Sequence, residues 1–127
     1  MKLVGSRTEQ ALREQLIVSN KSFFEDIEKA ALLTYIRKKF PELETAYILH
    51  WIPEQGTDFY KILINDSLVV DIEFPRLDQK RPIIKSILSI LQYRSGLSKV
   101  NQIKLAVAMN LAESALRQGR KLSITEE

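Results

Sequence analysis

The sequence predicts an α+β fold in the order α-α-β-β-β-α-α, a three-stranded antiparallel meander packed on one face by helices. Three observations predict it. Apolar residues recur at helical spacing before residue 40 and again after residue 97. Between Ala46 and Phe74 the spacing changes to alternation, the period of a strand. Turn-forming residues cut that alternating stretch into three.

The first helix opens at Ser6-Arg7-Thr8-Glu9, which has the Ser-x-x-Glu form of a capping box, and runs from Arg7 to about Val18 with Ala11, Leu12 and Leu16 on its inner side. Ser22-Phe23-Phe24-Glu25 repeats the signal and predicts a second helix, Phe23 to Lys39. Phe24, Ile27, Ala31 and Tyr35 fall on one face there, with Leu32, Ile36 and Phe40 beside them. Pro41 ends it, because proline disfavours helical geometry in the residue before it. Acidic residues at its start and Arg37, Lys38 and Lys39 at its end match the helix dipole.

The strands are Ala46 to Ile52, Phe59 to Ile64 and Leu68 to Phe74. Leu68, Val70, Ile72 and Phe74 share one face of the third, and Val69, Asp71 and Glu73 the other. Register selects the turn. A three-residue loop, Asn65-Asp66-Ser67, pairs Ile64 with Leu68, Ile62 with Val70 and Tyr60 with Ile72, whereas a two-residue loop sets Lys61 on the apolar face. In the first strand, alternation places Tyr47, Leu49 and Trp51 inward and His50 outward. Pro82 at a first helical position, then Ile83, Ile84, Ile87, Leu88 and Leu91, predicts a third helix ended by Gly96. The isoleucine content makes a fourth strand within 83–94 the alternative. Ser98 caps the last helix, Lys99 to Gln118, and 122–127 reads as a frayed tail. The expected core is Phe24, Ile27, Ala31, Tyr35, Leu49, Trp51, Ile62, Val70, Ile72, Ile103, Val107 and Leu111.

The 127 residues suit one domain, 1–127, that folds without disulfide or metal. The absence of cysteine fits a reducing compartment, and no stretch reads as a signal peptide or membrane span, so the expected location is cytoplasmic without membrane association. The net charge of +3 is unevenly spread. Residues 53–75 hold Lys61 against five carboxylates, and residues 76–127 hold ten basic against four acidic side chains.

Motifs for chemistry are sparse. His50, the only histidine, lacks any cysteine or histidine with which to hold zinc, so no metal site or cofactor is expected. There is no phosphate loop and no nucleophile elbow, and the chain reads as a non-enzyme. Asp71, Glu73, Asp58 and Lys61 have the residue types of a Mg²⁺-dependent nuclease. That set resembles the restriction-endonuclease-like core in composition alone. Phe74-Pro75 follows Glu73 where that core needs a lysine, and Asp78-Gln79-Lys80 has the spacing but lies in a loop.

The expected function is a small protein-binding module. Its acidic sheet face and adjoining loop, Glu54, Asp58, Asp66, Asp71 and Glu73, would occlude a basic partner such as a toxin domain, as bacterial immunity proteins and antitoxins do. The alternative is nucleic-acid binding through Arg76, Lys80, Arg81, Lys85, Arg94, Lys99 and Lys104. The Mg²⁺-dependent enzyme is the third reading. The sequence does not set the oligomeric state.

Overall fold

The computed structural model describes residues 3–76 and 81–125. The elements follow in the order α1 (Arg7–Glu25), a 3₁₀ turn (Ile27–Lys29), α2 (Ala30–Lys39), β1 (Ala46–Glu54), β2 (Thr57–Ile64), β3 (Leu68–Pro75), β4 (Ile83–Ser89), α3 (Ile90–Arg94) and α4 (Lys99–Thr125). The sheet is antiparallel throughout with strand order β1-β2-β3-β4. The fourth strand is therefore real. Its β-branched residues favour extended backbone, and exposed and half-buried positions alternate along it. Ser89 then caps α3 by a reciprocal box with Gln92, a signal hidden inside the isoleucine-rich run.

The β2–β3 hairpin has the expected register, with Ile64 opposite Leu68, Ile62 opposite Val70, Lys61 opposite Asp71 and Tyr60 opposite Ile72. Asn65 turns the chain in the left-handed region at φ 51°, which asparagine tolerates. Its side chain anchors the loop before β1. Oδ1 accepts from the Glu44 and Thr45 amides, and Nδ2 donates to the Glu42 carbonyl.

Two expectations about the helices are corrected. The Ser6 capping box forms, but Ser22 starts no helix: α1 continues through it to Glu25, and the Ser22 hydroxyl donates to the Asp26 carboxylate. The chain breaks at Asp26, whose backbone is extended, and α2 begins anew at Ala30. That break resets the helical phase. Leu32 and Ile36 become the buried residues of α2, Phe24 and Tyr35 pack at the margin, and Ala31 and Ile27 are exposed, Ile27 to 92%.

The helices also cover both faces of the sheet. On one face Leu16 of α1, Tyr93 of α3 and Leu105, Val107, Ala108 and Ala112 of α4 pack on Tyr47, Leu49, Leu63 and Val69. On the other, Phe23 of α1 with Leu32 and Ile36 of α2 packs on Ile48, Tyr60, Ile62, Ile64, Val70 and Ile72. Ile103 and Leu111 lie at the edge of the first core. Helix α1 reaches both cores because it lies along the outer edge of β1. It also seals that edge chemically: Asn20 Nδ2 donates to the Ala46 carbonyl at 2.7 Å, and the Ser19 hydroxyl accepts from the Ile48 amide at 3.3 Å. An open strand edge is a template for unwanted pairing, and these contacts close it from Ala46 to Ile48.

A β-bulge between Ile48 and His50 redirects the rest of β1. Before it, Tyr47 faces the same side as Leu63; after it, His50 pairs with Lys61 and Trp51 with Tyr60. His50 thus shares a face with Tyr47, against expectation, and Trp51 moves to the other side, where it is 53% exposed.

Candidate cationic cleft

The fold disperses the acidic residues singled out by sequence. Glu54 is exposed at the β1–β2 end of the sheet, and Asp66 lies in the β2–β3 turn at the other, about 25 Å away by strand rise. Asp58 is buried on the Trp51 face. It accepts from Trp51 Nε1 at 3.0 Å and lies 3.6 Å from the Arg76 guanidinium, which also donates to the Glu54 carbonyl. Asp71 and Glu73 are half-buried on the opposite face. Glu73 pairs with Lys85 at 3.3 Å. Asp71 sits near Tyr93 of α3, whose hydroxyl is pushed up to about 12, by burial first and by the Asp71 charge second. Lys61, opposite Asp71, holds its ammonium 5.9 Å from the Tyr93 ring centroid. The five carboxylates therefore make no common surface.

The basic set is scattered as well. Arg76 and Lys85 are tied to Asp58 and Glu73, Arg81 precedes β4, Arg94 ends α3, and Lys99 opens α4. Lys80 lies outside the described residues. Arg94 borders a separate hollow that also holds Glu113, whereas Lys104 enters a concave site together with Lys29 and His50.

The site is a cleft of about 410 Å³ where α1 leaves the β1 edge and the first turns of α4 cross it. Its depth follows from the local structure. Ser19 and Asn20 hold α1 to β1 as far as Ile48; beyond that point the bulge turns Leu49 and His50 to one side and Trp51 to the other, and the gap opens. Lys29 of the 3₁₀ turn, His50 and Trp51 of β1, Lys104 of α4, and Gln15 and Ser22 of α1 contribute polar or aromatic groups to the wall; Leu16, Val18, Ile48 and Leu49 contribute apolar surface. Among the described residues, no carboxylate lines the cleft. The Lys29 ammonium stands 5.7 Å from the Trp51 ring centroid, a cation–π distance that holds the lysine over the indole.

This arrangement disfavours its own charge. Burial lowers the pKa of His50, and Lys104 and Lys61 lower it further. Lys104 is lowered too, by burial of its half-covered side chain. Cations crowded in a cleft without a counter-ion destabilise one another and gain from an incoming anion. Ser19 accepts from the Ile48 amide and Ser22 donates to Asp26. Among the described residues, no group of histidine and carboxylate side chains has the arrangement of a metal site, and no helix is long and apolar enough to cross a membrane.

Comparison of the chain with protein-family models, with curated protein sequences and with solved structures finds no match.

Sequence reasoning singled out His50 and Lys104 separately and missed their meeting. Lys29, Gln15 and Trp51 carried no functional signal, because the cleft is assembled from three separate stretches of the chain and depends on a bulge.

Proposed function

We propose that this chain is a non-enzymatic binding module whose ligand is a small anion, a phosphate or carboxylate compound, held in the cleft between α1, β1 and α4. The observation that carries the reading is the convergence of Lys29, His50 and Lys104 on a concave site with no carboxylate among the described residues of its wall. The volume is within the range of small-molecule pockets, and the mixture of apolar wall with a few convergent polar groups is typical of them. Trp51 supplies a flat apolar surface at the rim for the uncharged part of a ligand.

Docking of a basic protein on Glu54, Asp58, Asp66, Asp71 and Glu73 has less support, because those side chains are spread over both ends and both faces of the sheet and Asp58 and Glu73 are engaged within the fold. A phosphate backbone needs a track of cations, and of the basic set only Lys104 lines the cleft, the other described members being scattered.

Trp51 is the only tryptophan, so intrinsic fluorescence reports on the cleft. Titration with inorganic phosphate, citrate and a nucleoside monophosphate is expected to give a saturable change with at least one of them, weakened at least tenfold in Lys104→Ala. No response to any of the three, or a response unchanged in Lys104→Ala, overturns the proposal. Tight binding of a single-stranded oligonucleotide that survives Lys104→Ala would favour the nucleic-acid reading instead.

A further inference from the structure

The two edges of the sheet are treated differently. Along β1 the outward backbone groups of Ala46 and Ile48 are taken up by Asn20 and Ser19 of α1. Along β4 the neighbour is β3 on one side, and the helix packed against it is the short α3 that follows it. The helical layers stop short of this strand. Ile83 and Ile87 are each half exposed, Leu91 just beyond is 77% exposed, and Ile84 and Leu88 lie at the margins of the two cores. A strand that is apolar on both faces, and whose outer edge has no backbone partner among the described residues, is a pairing template.

We infer that β4 pairs antiparallel with β4 of a second copy of this chain, joining two sheets into one of eight strands. Charge selects this occupant. Lys85 is the one charged residue of β4, and its ammonium lies 3.3 Å from Glu73, so the strand itself presents no unpaired charge to an acidic or basic segment. It suits an uncharged apolar strand, and the chain supplies one in β4 itself. Closure follows from symmetry: a two-fold pairing uses the β4 edge of both copies and stops at the dimer, while α1 holds Ala46 and Ile48 of the β1 edge.

The register follows from the bulge and from Lys85. The extra residue of β4 falls between its pairings Ser86–Asp71 and Ile84–Ile72, which leaves Ser86 to Ser89 as the regular stretch. Paired residues must face the same side, so a two-fold axis perpendicular to the sheet passes through a residue. An axis at Ile87 sets Ile87 against its own copy, Ser86 against Leu88 and Lys85 against Ser89. An axis at Lys85 would oppose two ammonium groups, which is destabilising.

The chain has no cysteine, so an engineered one reports without interference. Residues directly opposite in an antiparallel pair have Cα atoms about 4.5–5.5 Å apart, within the reach of a disulfide. Oxidised Ile87→Cys is expected to migrate mostly as a covalent dimer, whereas Ala31→Cys on the exposed face of α2 stays monomeric. In sedimentation equilibrium the native chain is expected at twice its monomer mass and Ile87→Lys at one, with an unchanged far-ultraviolet circular dichroism spectrum. A native chain that stays monomeric at the highest soluble concentration overturns the inference, as does a dimer that persists in Ile87→Lys and resists cross-linking through Ile87→Cys.

Discussion

Lys104→Met tests whether the cleft is strained by its own charge. Methionine keeps an unbranched stem against the wall and removes the ammonium. Methionine has as many apolar heavy atoms as the lysine stem, so apolar burial is close to unchanged. What changes is relief of the partly desolvated ammonium, and the variant is expected to be more stable than the native chain by about 0.5–1 kcal/mol. That corresponds to a rise in melting temperature of roughly 2–5 °C for a domain of this size. The gain grows as pH falls toward 5.5. Lys104 helps to hold His50 below its usual range, and without that lysine the folded protein protonates His50 at lower cost. Urea denaturation at pH 7.5 and 5.5 measures both terms. At the same time the variant should lose phosphate binding, so stability and binding move in opposite directions. Equal or lower stability at both pH values would refute the idea of a cleft held under like-charge stress, since a solvated surface lysine changes stability by less than about 0.5 kcal/mol either way.

The remaining predictions concern the frame of the cleft. Asn20→Ala removes the bond to the Ala46 carbonyl at the sealed edge and is expected to cost about 1–2 kcal/mol in denaturant unfolding. Phe23→Ala, at a fully buried position under α2, is expected to cost about 3–5 kcal/mol in the same assay. Glu9 accepts hydrogen bonds from the Val4, Gly5 and Ser6 amides, and its pKa is lowered, most by the Ser6 amide. Its folded pKa lies below the unfolded one, so its contribution is complete above the ordinary glutamate value of 4.5 and is lost as pH falls through the folded pKa. Melting temperature against pH from 3 to 7 should therefore fall less steeply in Glu9→Gln than in the native chain.

Much of the sheet was legible in the sequence because period-2 alternation with one apolar face allows a single register. Ile62, Ile64, Leu68, Val70 and Ile72 give the β2–β3 pairing and with it the three-residue turn. The second covered face had a signal too. Leu63 opposes Val69 on the side assigned to solvent, and two large aliphatic residues in register there call for a helix. The α1–α2 break was obscured because Ser22-Phe23-Phe24-Glu25 satisfies the same local rule as Ser6-Arg7-Thr8-Glu9, and tertiary packing of Phe23 under α2 decides between them. The bulge after Ile48 has no residue-type signature, yet it brings His50 to the side of Tyr47 and Leu49, moves Trp51 to the other, and so makes the cleft.

The state of His50 reads the cleft most directly. It is the only histidine, and its ring protons can be followed by NMR as pH is varied with and without inorganic phosphate. A free-protein pKa below 6.5 that rises on addition of phosphate, and rises less in Lys29→Ala, is the predicted result. A pKa at or above 6.5 in the free protein, or one indifferent to phosphate, would contradict the account.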